Sequence, residues 1–360
     1  MQSKIKMSSI QLSFIIIALL FSDFPIVNAA SNAKQNSWLA FIIGMFIGLL
    51  LVTIYLLISK LHPGKNFIEI LMDSFGKYLG TVFSVLYIWF FIHIASLTLR
   101  TFTEYMININ YFETPRYFIM GALLLSIIYA LRKGFEVVAR VTEIFIPILI
   151  FSVIFLFTAL FNQFNYDFFL PILKDGIKPV LNTGFIVGTT PFGELIVLLM
   201  IFPYLNKKKN MVKVTYLSII IGSILLLSIV VRDLLLLGSN LISFLVFPPN
   251  ISTALLPTVA LEPFISINLL IAGTGSLCVY IHAATVGIGQ LFNIDDNKTF
   301  IFPVAIIVIG ISIWQFDSVS EMFETLNEVF SYYAIVFQAF IPLIVLIISY
   351  MKRQKNKSTI

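Results

Sequence analysis

Gly188-Thr189-Thr190-Pro191-Phe192-Gly193-Glu194 sits near the middle of an apolar run, 180–204, long enough to cross a bilayer. Proline deletes a helical hydrogen bond and crowds the preceding turn, and the glycines on either side loosen the backbone further. The stretch therefore predicts a spanning helix that unwinds half-way, with a carboxylate at the break. A second run, 10–31, carries Ser22-Asp23-Phe24-Pro25 at a similar depth. Unwound backbone is tolerated inside a membrane only where it is buried in protein or lines a cavity. Two such interruptions, each a proline close to an acid, decide how the rest of the chain reads.

Of the 360 residues, 59% are hydrophobic and 11% charged, against about 25% charged in a soluble domain. The surplus of apolar side chains must face lipid. Ten runs read as spanning helices: 10–31, 37–59, 80–106, 116–131, 142–161, 180–204, 211–237, 264–291, 299–315 and 330–351. Lysine and arginine sort by loop. Seventeen, from Lys4 to Lys357, fall on one set of loops, and four (Lys34, Arg116, Lys174, Lys178) on the other. The positive-inside rule then expects both termini, and a basic tail over 352–360, in the cytoplasm. The acidic group Asp317, Glu321, Glu324 and Glu328 falls outside. The net charge of +5 thus orients spans and is no nucleic-acid signature.

A single cysteine excludes a disulfide scaffold and a Cys-ligated metal site, and three histidines exclude a His-rich tract. Lys4, Lys6, the apolar core Ile10 to Phe21 and Val27-Asn28-Ala29 are similar to a cleavable signal peptide. The interruption at Ser22–Pro25, which a signal core does not need, favours a retained first span.

Spans one and six open two five-helix halves, 8–161 and 180–351. Each half holds an odd number of helices, so the second is inverted relative to the first. Paired interruptions in corresponding positions point to a midplane site between inverted repeats. The fold class expected is an all-α polytopic membrane protein with broken helices 1 and 6. Freed N–H groups at a half-helix start favour an anionic group, and freed carbonyls at a half-helix end favour a cation or amine.

Ionisable residues inside spans are costly and mark function. The ligand-binding set expected is therefore Ser22, Asp23, Phe24 and Pro25 at the first break. Thr189, Thr190, Pro191, Phe192, Gly193 and Glu194 stand at the second, with His93 from span three and Thr274 and Cys278 from span eight. Arg100 with Glu104, four apart, and Arg140 with Glu143, three apart, read as structural ion pairs. Arg232 and Asp233 are adjacent, which predicts different faces, and Glu262-Pro263 opens span eight. No P-loop, dinucleotide fingerprint or catalytic triad is present in the sequence, so neither an enzyme nor a cofactor is expected.

Further stretches carry a resemblance: Gln11; Leu61-His62-Pro63-Gly64-Lys65 followed by Glu69 and Phe75-Gly76-Lys77-Tyr78-Leu79-Gly80; Arg140, Glu143 and Pro147; Leu170-Pro171-Ile172-Leu173 with Gly176; and Pro191-Phe192-Gly193-Glu194. Together they resemble the spore germination permease family, the membrane-embedded B subunit of nutrient germinant receptors. That family is similar to amino acid–polyamine–organocation transporters. The resemblance implies a sensor of a small nutrient, often an amino acid, in the spore inner membrane, with a larger A subunit and a C lipoprotein subunit as partners. The alternative is a cation- or proton-coupled amino-acid transporter. Asp23 departs from the small, glycine-containing break usual in the family, and its charge would repel a ligand carboxylate unless protonated or paired.

Overall fold

The computed structural model describes residues 6–27, 29–242, 244–254 and 262–358, and among them the regular structure is helical throughout. Lys4 and Asn28 lie outside the described residues, as does the side chain of Glu262. The helices are α1 (Ser9–Phe21), α2 (Phe24–Val27), α3 (Ser37–Leu61), α4 (Phe67–Ile109), α5 (Arg116–Lys133), α6 (Phe135–Leu160), α7 (Lys178–Val187) and α8 (Leu198–Ile201). There follow α9 (Met211–Ile242), α10 (Pro248–Ala254), α11 (Glu262–Leu291), α12 (Ile301–Trp314), α13 (Val319–Glu324), α14 (Ser331–Ile335) and α15 (Ile341–Ser358). Short π and 3-10 turns join α7 to α8 and link α13, α14 and α15 into continuous rods.

Nine of these rods are long and apolar enough to cross a membrane. The expected fourth span is present as α5, an 18-residue helix. Arg116, Arg132 and Lys133 charge both its ends, which sets it apart from the other nine. Two ends add detail to the expected spans. A short separate helix precedes the third span: Asn66 and Glu69 close a reciprocal capping box at its start, and Gly76, with a φ of 77°, turns the chain before the span itself begins near the expected residue 80. At the other end, α15 continues through Ser358, so the start of the expected tail is helical, and Lys352 Nζ donates to the carbonyls of Asp73 and Ser74.

Helix six, 178–204, lies at the centre: 94% of its most apolar stretch is buried, against 28% for the rod that ends at Trp314. Around it stand α1, α3, α4 and α11, with α5, α6, α9 and α12 outside. α3 and α7 approach each other closely. Gly44 and Gly48 on α3 face Gly184 and Gly188 on helix six, each pair four residues apart, and a Cβ at Gly184 would lie 2.7 Å from Ile43 Cγ2. Small residues let backbones close up where water supplies no hydrophobic drive. The N-terminus is tied to the end of helix six, because Met7 N–H donates to the Tyr204 carbonyl at 2.8 Å and Asn206 N–H to the Met7 carbonyl at 3.0 Å. A capping box between Ser8 and Gln11 then starts α1.

Arg100 and Glu104 pair as expected, with Nε 2.8 Å from Oε1, both 1% exposed. The contact is ionic, since its angles are not those of a hydrogen bond. Arg116 at the head of α5 joins at 2.9 Å, and Arg100 Nη1 donates to the Ser312 carbonyl, so the cluster clips α4, α5 and α12 together. The other expected pair does not form. Glu143 turns toward α1, where Oε2 accepts from Gln11 Nε2 at 3.2 Å, and Arg140 stays exposed. Arg232 and Asp233 correct the sequence reading in the opposite sense. Arg232 folds back so that Nε and Nη2 both donate to Asp233 Oδ1, at 2.9 and 2.7 Å, and Ser252 Oγ adds a third bond. A guanidinium on a long stem reaches a neighbour that helical geometry points elsewhere.

Candidate ligand-binding site

Helix one breaks where expected. Ser22 (φ −46°, ψ −79°) ends α1, and its N–H reaches back three residues to the Leu19 carbonyl at 3.3 Å. After Asp23 the chain resumes as α2. Pro25 supplies no N–H, which suits the first turn of a new helix. The bend holds the Asp23 carboxylate inside the bundle, 6% exposed. Ser22 Oγ donates to Oδ1 at 2.8 Å, and Thr98 Oγ1, from α4, to Oδ2 at 3.0 Å.

Helix six is interrupted at the expected residues but in another form. The chain does not unwind: Gly188, Phe192 and Gly193 keep right-handed helical dihedrals. The α-helical bonding instead widens to a π-turn over Gly188–Phe192 and tightens to a 3-10 turn over Gly193–Val197. Pro191 is the cause. It removes the donor for the Val187 carbonyl and pushes its ring against that turn, and extra girth relieves the clash. Neighbouring helices satisfy part of what is freed. Gln338 Nε2 donates to the Thr189 carbonyl at 3.0 Å, and Tyr55 OH reaches the carbonyls of Gln338 (2.6 Å) and Gly193 (3.3 Å).

The change of winding presents Glu194 to α11, where Tyr280 OH donates to Oε2 at 2.7 Å. Glu194 is 4% exposed. Among the described residues neither Asp23 nor Glu194 has an ion-pair partner. Phe24, Phe41 and Phe192 pack in series, the first pair edge-on and the second tilted, with ring centroids 5.4 and 6.0 Å apart, and form an apolar wall between the breaks. Two buried polar atoms, Thr190 Oγ1 and Gln338 Oε1, have no hydrogen-bond partner among the described residues. The arrangement is closed, since Ser22, Thr189, Thr190 and Phe192 are each at most 3% exposed.

The structure thus gathers Ser22, Asp23, Phe24, Thr189, Thr190, Phe192, Gly193 and Glu194 around one centre. Other expected members fall outside it. Pro25 borders a separate cavity of about 20 Å³ beside Arg232 and Asn268, room for a single water. His93 faces the last span, with Nε2 2.5 Å from Tyr333 OH and Nδ1 3.4 Å from Gln315 Nε2. On α11, Thr274 is half-buried and Cys278 buried, but neither bonds to a carboxylate. Ser276 instead ties α11 to helix one, donating to the Ala18 carbonyl at 3.0 Å. Thr98, Tyr280, Tyr55 and Gln338 were not in the expected ligand-binding set. All four are polar residues within long apolar helices, the signal that could have flagged them.

The profile of the spore germination protein family matches residues 6–321. Spore germination protein KB of Bacillus subtilis (strain 168) is 29% identical over 370 residues, covering 99% of this chain and 98% of that protein. Spore germination protein A2 of the same organism is 23% identical over 98% of each chain. Two solved transporters share the fold. One is a Na+-coupled sialic acid symporter (TM-score 0.67, 13% identity, 90% of this chain and 76% of that one). The other is Mhp1 of the nucleobase-cation-symport-1 family (TM-score 0.69, 12% identity, 93% and 78%). This places the helices in the LeuT-type arrangement of two inverted halves that the two interruptions imply. With the family profile running over most of its length and germination proteins aligning nearly end to end, the chain belongs to the spore germination protein family.

Proposed function

We propose that this protein is the nutrient-sensing membrane subunit of a germinant receptor, and that the nutrient binds between the bend of helix one and the re-wound segment of helix six. The observation that carries the reading is that Asp23 and Glu194 are both buried and, among the described residues, neither has a basic partner. Burying carboxylates in this way is costly unless a positive charge or a proton compensates them. A ligand with an ammonium group supplies that charge, and Thr190 Oγ1 and Gln338 Oε1 offer it further hydrogen bonds. The nutrient is then an amino acid or related molecule whose amine faces the carboxylates. Binding shifts the protein between two states by its difference in affinity for them. An A subunit and a C lipoprotein subunit would read the shift in the spore inner membrane, with both termini on the lysine-rich, cytoplasmic side.

The test is germination of spores carrying Asp23→Asn or Glu194→Gln, with the protein level in the membrane checked in parallel. The expected result is a dose–response curve displaced by more than about tenfold, the worth of one charge-assisted hydrogen bond. An unchanged curve for both variants would refute the site. The uncompensated carboxylates also suit a cation- or proton-coupled amino-acid transporter. Gradient-driven uptake by the purified chain in proteoliposomes would favour that second reading.

A further inference from the structure

At the end of the bundle away from Lys60, Lys65 and Lys207, a cavity of about 610 Å³ opens between helix six and the start of the last rod. Its polar walls come from Asn32, Asn182 and Thr183 on one side and from Glu324, Asn327 and Glu328 on the other. The carboxylates are four residues apart, on neighbouring turns of one face. Among the described residues neither has an ion-pair partner. The basic residues nearest in sequence, Lys34 and Lys178, are exposed and form no part of the walls. Tyr332 OH donates to Asn182 Oδ1 at 3.1 Å and fixes that amide.

One further group points to an occupant. Asn327 Oδ1, on the wall of the cavity, is buried without a partner among the described residues. Buried polar atoms in native folds are nearly always satisfied, and an unsatisfied one calls for a partner. The volume suits a small molecule, since ligand pockets run from about 300 to 1,000 Å³.

We infer that this vestibule is a second binding site, selective for small molecules that carry an ammonium group: the Glu324 and Glu328 carboxylates take the charge, and Asn182 and Asn327 take hydrogen-bonding groups. The site is distinct from the midplane pair and does not depend on it. The negative wall concentrates cations at the mouth and excludes anions.

The test uses the purified full-length chain. Its one native thiol, Cys278, is 3% exposed and is removed by Cys278→Ala. A reporter thiol is introduced by Asn182→Cys or, in a second variant, by Asn327→Cys. Its reaction rates with trimethylammonioethyl and sulfonatoethyl methanethiosulfonate are each divided by the rate for free mercaptoethanol. The cationic reagent should be favoured on the order of tenfold, as expected for two acids a few ångströms from the reacting atom. Glu324→Gln with Glu328→Gln should bring the ratio close to one. Alaninamide should slow labelling by neutral methyl methanethiosulfonate, and propionate at equal concentration should not. The inference is overturned by a ratio near one in the parent, by a ratio insensitive to loss of both carboxylates, or by absence of protection by alaninamide. None of these readouts requires Asp23 or Glu194, so failure here and failure of the midplane site can be told apart.

Discussion

Gly44→Ala isolates the contact on which the position of helix six depends. A Cβ added there lies 2.5 Å from Val187 Cγ1, 2.6 Å from Val187 Cβ and 3.0 Å from the Gly184 carbonyl oxygen. Carbon atoms in good contact rest about 3.5–4.0 Å apart. Rotation of Val187 can move Cγ1, but Cβ and the carbonyl belong to helix six itself, so the two helices must part by about 1 Å. A gap of that size forfeits roughly a quarter to a half of the attraction at each neighbouring contact, and overpacking of this kind costs about 1–3 kcal/mol. The upper part of that range applies, because Gly48, Gly184 and Gly188 continue the same close seam. Better helix propensity returns at most about 1 kcal/mol, which leaves a net loss of roughly 2 kcal/mol. The measurement is unfolding in mixed micelles with rising dodecyl sulfate, followed by fluorescence of the three tryptophans. Gly121→Ala and Gly310→Ala are the controls, since a Cβ at either meets nothing within 4 Å. If Gly44→Ala unfolds within about 0.5 kcal/mol of these controls, which is the scatter of neutral surface changes, the close-packed seam is not what fixes helix six.

Gly193→Ala drives a methyl into the Gln338 amide, which can swing aside only by giving up its bond to the Thr189 carbonyl. The loss should be about 1–3 kcal/mol, and Gln338→Ala in the same chain should recover most of it in a double-mutant cycle. Gly193→Leu should abolish the nutrient response while the protein still reaches the membrane, as read by germination and immunoblot. Arg100→Met should cost about 3 kcal/mol, the low end for breaking a buried pair, because Arg116 still faces Glu104. Arg100→Met with Glu104→Leu should be milder than Arg100→Met alone in the same unfolding assay. His62 lies between α3 and α4, with Nε2 2.8 Å from Ser349 Oγ and Nδ1 3.9 Å from Asp73 Oδ2. Burial lowers its pKa from 6.5, and Lys65 and Lys352 outweigh part of the opposing pull of Asp73. Below about pH 6.5 the unfolded chain therefore binds this proton more readily than the folded one, so stability falls as pH drops and levels off once folded His62 is protonated. Melting curves across pH 5–8 should show that fall, and His62→Gln should flatten it.

Much of the site was legible because membrane burial makes certain residues conspicuous. A proline, an acid or a glycine pair in the middle of an apolar run violates the rule for a lipid-facing helix, and Asp23, Pro191 and Glu194 stand out for that reason. Tyr280, Thr98 and Gln338 were less visible, since hydroxyl and amide residues are common in spans and only a partner gives them a role. The orientation of His93 was not legible either, since its angular position on α4 aims it at Tyr333, and Arg140 forms no pair because Glu143 found Gln11 across the helix interface. The Gly44, Gly48 and Gly184, Gly188 spacings were present in the sequence and passed unread.

By itself the sequence determined the helices, their number to within the charged α5, and the places where two of them are interrupted. These are local matters: bilayer thickness fixes helix length, and proline geometry fixes where the bonding ladder fails. Only the tertiary structure decided what the failures become. Helix one bends because Ser22 and Thr98 hold the Asp23 carboxylate inward. Helix six stays wound because Gln338 and Tyr55 take up part of its freed carbonyls and Gly44 and Gly48 press against it. Whether a broken turn opens or tightens depends on which partners lie across the interface, and those partners come from residues up to hundreds of positions away.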